Sequence, residues 1–197
     1  MKRSCRINLS RMRKSVSLAP LSLGLAGIFL SGCADNRDDA QLFTSIDDCT
    51  NGYPGLRDVC TTTYQQALKD AEETGPKYDT EYDCEYDFGP NQCREENTIF
   101  GSFYMPLMAG YLVGNMVSRR PFYQPMYTSY SRYSPLRNRW FTPDGLDLGD
   151  IRKRNFKVKR SIFDKRPFNT STLKRGGFGQ MAKSSSSYRP SSRGWGG

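Results

Sequence analysis

Histidine is absent from all 197 residues, which removes imidazole bases, imidazole metal ligands and every Ser-His or Cys-His nucleophile pair. Leu, Ile, Val and Phe together make up just under a fifth of the chain, a level at which a uniformly packed globule is not expected. There is no Cys-x-x-Cys pair and no Asp-x-Asp-x-Asp-Gly loop, so neither a zinc site, a dithiol redox motif nor an EF-hand Ca2+ loop is expected. Long apolar runs are lacking too. The two charge-free stretches, 16–30 and 103–117, both fall short of the roughly 20 residues a membrane-spanning helix needs. These absences predict a protein with no metal, no cofactor and no catalytic residue.

The N-terminal segment is the most specific signal. Lys2, Arg3, Arg6, Arg11, Arg13 and Lys14 precede the apolar run Val16 to Leu30 with no acid among them, the pattern of a signal peptide. The run closes on Leu30-Ser31-Gly32-Cys33, the leucine, small, small, cysteine order of the bacterial lipoprotein box. Residues 1–32 are therefore expected to be a lipoprotein signal peptide and Cys33 the lipidation site. Two or three acyl chains on Cys33, at about 0.8 kcal/mol per buried methylene, would hold the protein on a membrane permanently. Residues 33–41 are expected to form a linker. Ala34, rather than Asp, follows Cys33, which favours the periplasmic face of the outer membrane over the inner membrane.

With Cys5 in the signal and Cys33 lipidated, Cys49, Cys60, Cys84 and Cys93 remain. An even number in an oxidising compartment predicts two disulfides. Three pairings are open. Cys49 with Cys60 and Cys84 with Cys93 is the simplest, each bond closing its own loop; the crossed arrangement would staple both ends against a central helix. Ser45 to Cys49 and Thr80 to Cys84 echo each other, each with a hydroxyl three residues ahead of an aspartate, a helix start of the capping-box kind. A longer helix is predicted over Asp58 to Glu73, ended by Gly75-Pro76, and Gly89-Pro90 ends the helix around Cys84. From 33 to 100 the chain carries a net charge of −11. The expectation for 42–96 is thus a small, acidic, mostly α module stapled by two disulfides.

Residues 101–118 place Ser102, Pro106, Gly110, Gly114 and Ser118 at every fourth position. The spacing predicts a short apolar helix with Gly110 and Gly114 on one face, a small-xxx-small surface for self-association or membrane contact. From residue 101 onward the net charge is +14, and 119–197 is rich in Tyr, Arg, Gly and Ser. This segment is expected to be a largely disordered basic tail. Its Arg119, Arg120, Arg152, Lys153, Arg154, Lys157, Lys159 and Arg160 are candidates to contact anions of the envelope: lipopolysaccharide phosphates, anionic lipid or peptidoglycan carboxylates. The tail could equally fold back on the acidic module. Nucleic acid, the usual partner of such a composition, is excluded by the expected location.

Several stretches together carry a resemblance: the Cys33 box, Asp48-Cys49, Cys60 with Tyr64 and Ala67-Leu68, Pro76-Lys77-Tyr78, Asp83-Cys84 with Phe88-Gly89, Ser102 to Tyr111, and Arg175-Gly176-Gly177-Phe178-Gly179. In these the chain resembles the YgiB and YjfM family of uncharacterised bacterial lipoproteins, which hold a domain of unknown function. The resemblance implies no catalytic residue. It also implies a gene neighbourhood that includes an ATP-grasp ligase resembling glutathionylspermidine synthase. The functional expectation is a non-catalytic binding or scaffolding lipoprotein of the cell envelope. The alternative is an accessory to such a ligase, its acidic module binding a polyamine or another cation.

Overall fold

The computed structural model describes residues 37–98, 101–118, 120–167 and 169–185. Its first strand, β1 (Arg37–Phe43), is followed by helices α1 (Ile46–Gly52) and α2 (Arg57–Thr74). Ser45 caps α1, its side chain accepting from the Asp48 N–H, and Thr80 caps α3 (Glu81–Phe88) by accepting from the Asp83 N–H. Both caps are local consequences of a hydroxyl placed before three orphan amides. Helix α2 stops at Gly75, ahead of Pro76, and α3 at Gly89, whose φ of 109° suits glycine alone. Between α2 and α3 lies the two-residue β2 (Lys77–Tyr78).

The mostly α expectation ends there. Residues 93–98 and 101–106 form a hairpin, β3 (Cys93–Thr98) and β4 (Gly101–Pro106), and 110–114 is strand β5 (Gly110–Gly114). The predicted small-xxx-small helix does not exist. A four-residue spacing is also a multiple of the strand period of two, so Gly110 and Gly114 share one face of a strand as readily as one face of a helix. All five residues of β5 are buried. A strand covered on both faces reads as a continuous apolar run, which periodicity alone does not distinguish from a helix.

The basic region is folded as well. It supplies β6 (Phe122–Met126), β7 (Arg139–Phe141), β8 (Asp147–Asp150), β9 (Asn155–Lys159), a 3-10 turn at Arg160–Phe163, β10 (Thr172–Leu173) and α4 (Gly177–Ser185). Strand β9 alternates exposed Asn155, Lys157 and Lys159 with buried Phe156 and Val158. The disordered tail is expected from the composition of the whole segment, rich in Gly and Ser and poor in large apolar residues, and this short alternation, overlaid by basic charge, does not stand out against it.

These strands also erase the expected division into module and tail. The first sheet has the order β6-β5-β1-β9, antiparallel throughout, with Ala40 opposite Gly114 on one side and opposite Phe156 on the other. The second runs β10-β2-β4-β3, with β10 parallel to β2; β7 and β8 form a third, two-stranded sheet. Both larger sheets therefore interleave acidic-half and basic-half strands, because each half alone leaves sheet edges and apolar faces uncovered.

The first sheet buries both faces. Leu42, Leu112, Met126, Phe156 and Val158 pack with Trp140 on one side; Phe43, Tyr111 and Val113 pack against α1 and α2 on the other. A third cluster joins Tyr78, Phe88, Tyr127, Phe141 and Phe178. Tyr78, Tyr111 and Tyr127 are fully buried, each donating its hydroxyl to Asp87, the Ser45 carbonyl and the Ala71 carbonyl respectively. Tyrosine thus supplies core volume that a count of Leu, Ile, Val and Phe omits. Among the described residues, no helix is long and apolar enough to cross a membrane.

Candidate functional site

Asp87 is the most heavily engaged polar residue of the interior. It lies on α3 and is 5 % exposed. Its carboxylate accepts from the Tyr78 hydroxyl at 2.8 Å, from the Gly176 N–H at 3.0 Å and from the Phe178 N–H at 3.3 Å. Burial pushes the Asp87 carboxyl above its ordinary value, outweighing the three donors that pull it down, and burial beside the Asp87 charge pushes the Tyr78 phenol up. Two of the donors are backbone amides at the start of α4, where the helix dipole favours a negative charge. The arrangement fastens α4 and sets the Phe178 ring against Phe88 and Phe141, at 5.2 and 5.1 Å.

Two charged surfaces flank this core. The first is a groove of about 560 Å3 lined by Glu72, Glu73, Lys77, Asp79, Glu96 and Phe103, among others. Lys77 lies 5 % exposed, over the Phe103 ring at 4.7 Å, with its ammonium donating to the Asn169 carbonyl at 2.7 Å. Burial lowers its pKa. The groove's acids are partly neutralised within the fold: Arg94 reaches Glu72 at 3.1 Å and Glu96 at 2.7 Å, and Lys165 reaches Glu73 at 3.7 Å. Among the described residues no group of three or more Cys, Asp or Glu is placed to hold a metal ion.

The second surface is the basic edge formed by β9 and its flanks. Lys157 and Lys159 stand exposed on β9, with Lys157 3.5 Å from Asp39 and Lys159 opposite Arg37 in register. Arg154 lies 3.7 Å from Asp48 and 6.0 Å from the centre of the Trp140 ring; the Lys153 ammonium lies over Phe156 at 4.9 Å. Arg160 covers the Phe122 ring at 3.9 Å. Arg152 binds both oxygens of Asp150 at 2.9 Å and holds that carboxyl well below the usual range. Basic residues of the C-terminal half thus do meet acids of the N-terminal half, at Asp39, Asp48 and Glu73. Surface pairs of this kind contribute about 0–1 kcal/mol each, so they trim the fold's charge more than they hold it together.

The remaining predicted positions divide clearly. Cys49 is bonded to Cys60 and Cys84 to Cys93, tying α1 to α2 and α3 to β3. Gly110 and Gly114 are close-approach positions: a Cβ would stand 2.7 Å from the Phe43 carbonyl oxygen at Gly110 and 3.0 Å from the Phe163 ring at Gly114. Buried in a sheet, they offer no helix face for self-association. Arg120 is exposed on the turn between β5 and β6, away from β9 in sequence. Cys5, Cys33 and Arg119 lie outside the described residues. Asp87 carries no signal of its own in the sequence. The nearest clues are Phe88-Gly89 and Arg175-Gly176-Gly177-Phe178-Gly179, but nothing local says that these two motifs meet.

Comparison with known proteins gives one consistent result. Residues 37–189 match the family model described as "Protein of unknown function (DUF1190)". The chain is 36 % identical to a UPF0441 protein of Serratia proteamaculans, covering 97 % of this chain and 96 % of that protein. It is 34 % identical to one of Sodalis glossinidius and 35 % identical to one of Klebsiella pneumoniae, each covering 98 % of this chain and 96 % of the relative. No solved structure matches. The family match opens at Arg37, the first residue of β1.

Proposed function

The chain belongs to the DUF1190 family of proteins of unknown function, and on that premise we propose that it is a lipid-anchored protein of the bacterial cell envelope that binds or scaffolds and does not catalyse. The signal-like N-terminus and the box at Cys33 support the anchor. The observation that carries the binding role is the exposed basic edge, where alternation along β9 turns Lys157 and Lys159 outward while Phe156 and Val158 secure the strand. Its partners are anionic: membrane lipid, lipopolysaccharide or peptidoglycan. The absence of histidine and the oxidation of all four described cysteines support the non-catalytic reading, since the described residues offer neither an imidazole base nor a free thiol.

The test combines mass spectrometry of the mature protein with sedimentation. A mass carrying the acyl groups on Cys33, with four cysteines oxidised, is expected. Replacing Lys157 and Lys159 by Gln is expected to weaken sedimentation with lipopolysaccharide and to reduce its salt dependence. A Cys33→Ser form that matures and fractionates unchanged would overturn the envelope reading.

The groove beside Phe103 favours a second reading, in which Glu72, Glu73, Asp79 and Glu96 take an organic cation such as a polyamine. Calorimetry of the full chain with spermidine decides between the two. Binding that Asp79→Asn abolishes supports the second reading, and heat indistinguishable from dilution removes it.

A further inference from the structure

One end of the first sheet gathers features that the basic edge alone does not explain. Strand β1 begins at Arg37, whose register partner is Lys159, the last residue of β9. At the same end the chain leaves β5 by a turn at 115–118 and enters β6 from 120–121, because Ala40 pairs with Gly114 and Gly114 with Phe122. That turn exposes Val117 to 83 %, the most exposed large apolar residue among those described, and Arg120 is exposed beside it. The 3-10 turn after β9 adds Arg160, whose guanidinium lies on Phe122. Acids also lie at this end: Lys157 engages Asp39, Asp147 and Asp164 line one hollow with Lys159, and Asp70 lines another with Pro121 and Phe122. A protruding valine ringed by Arg37, Arg120, Lys159 and Arg160 is thus set on the end of the sheet where the chain enters it.

Only three residues separate Cys33 from Arg37. Four Cα steps of about 3.6 Å span at most roughly 14 Å. If Cys33 carries acyl chains in a leaflet, Arg37 is tethered within about that distance of the lipid surface, too near for the far end of the sheet to be the end that faces it.

We propose that this end of the sheet, centred on Val117 and ringed by Arg37, Arg120, Lys159 and Arg160, is a membrane-apposed surface that docks on anionic phospholipid. The inference rests on the acyl anchor proposed above and adds an orientation and a lipid class to it. The cations meet headgroup phosphates, and Val117 enters the interface, where a small apolar side chain is favoured over water. The β4–β5 connection, at the opposite end of the sheet, then remains available on the periplasmic side.

The experiment uses the mature, acylated full chain in vesicles. An environment-sensitive fluorophore is placed on Val117→Cys, or on Leu107→Cys as a control; Leu107 is 44 % exposed and precedes β5 at the opposite end of the sheet. In vesicles containing phosphatidylglycerol, the label at 117 is expected to shift to the blue and to be quenched by lipid-borne quenchers, while the label at 107 stays water-exposed. Each cation near an anionic leaflet counts for roughly fivefold in apposition. Replacing Arg37, Arg120 and Lys159 together by Gln is therefore expected to lower the apposition equilibrium constant by about a hundredfold without releasing the protein. Equal signals at 117 and 107, an unshifted label at 117 on acylated protein, or the same shift on neutral phosphatidylcholine would each overturn the orientation while leaving the anchor standing. A mature protein lacking acyl mass on Cys33 would remove both together.

Discussion

Truncation of Phe178 tests whether the C-terminal region is part of the fold. The side chain is 1 % exposed and packs on Phe88 and Phe141, so Phe178→Ala removes a complete aromatic ring from a closed cluster. Such truncations cost about 3–5 kcal/mol, the loss of transfer free energy compounded by the cavity left behind. A ceiling applies here because α4 is the last described element. Once the loss exceeds the free energy of docking α4, the helix detaches and the rest stays folded. Detachment also releases two amide hydrogen bonds to Asp87, each worth about 1.5–3 kcal/mol when the acceptor is charged. The assay is urea unfolding combined with amide hydrogen exchange. The expected outcome is either a global loss of about 3–5 kcal/mol, or a smaller global loss with protection abolished across residues 178–182. A change below about 0.5 kcal/mol, the range of an inconsequential surface substitution, with protection unaltered would refute the packing of Phe178, as would wild-type amides in that helix exchanging at unfolded rates.

Removal of a disulfide offers a second test: the loops they close, with sequence separations of 11 and 9, correspond to about 2.5–3 kcal/mol each from chain entropy, so Cys84→Ala with Cys93→Ala should lower the unfolding free energy in urea by that amount. Gly110→Ala places a Cβ against the Phe43 backbone carbonyl, which has no flexible end to move. It is expected to cost about 1–3 kcal/mol with an unchanged sedimentation coefficient; a loss of self-association at full stability would restore the helical reading. Asp87 sets a pH dependence. Burial raises its pKa above the ordinary 3.8, so the folded protein binds this proton more tightly than the unfolded chain. The stability it contributes is fully present below 3.8 and is lost as pH rises through the folded value. Wild type minus Asp87→Asn should therefore shrink as pH rises across that window in equilibrium unfolding, and a difference that grows instead would reverse the assignment.

Local chemistry is legible in the chain itself. The Ser45 and Thr80 caps, the stops at Gly75 and Gly89, and helix α2, predicted over Asp58 to Glu73 and found at Arg57–Thr74, each depend on residues within one helical turn of each other. The simplest cysteine pairing is local in the same sense. The strands are not legible, because Gly110 and Gly114 satisfy the helix and strand periods alike, and because Phe156 and Val158 are two apolar positions within a charge run. The buried tyrosines escape a sequence reading because a phenol counts as polar until a partner for its hydroxyl is known.

Sequence by itself determined where α1, α2 and α3 start and stop and which cysteines are available, since capping, chain stiffness and short loops act over a few residues. Only the tertiary structure decided that the acidic and basic halves form one set of sheets, that Asp87 would meet amides 89 and 91 residues further on, and that Arg37, Val117 and Lys159 would share one end of a sheet. Those outcomes depend on which strand edges and apolar faces remain to be covered once the local pieces have formed, and that competition is settled by the whole chain at once.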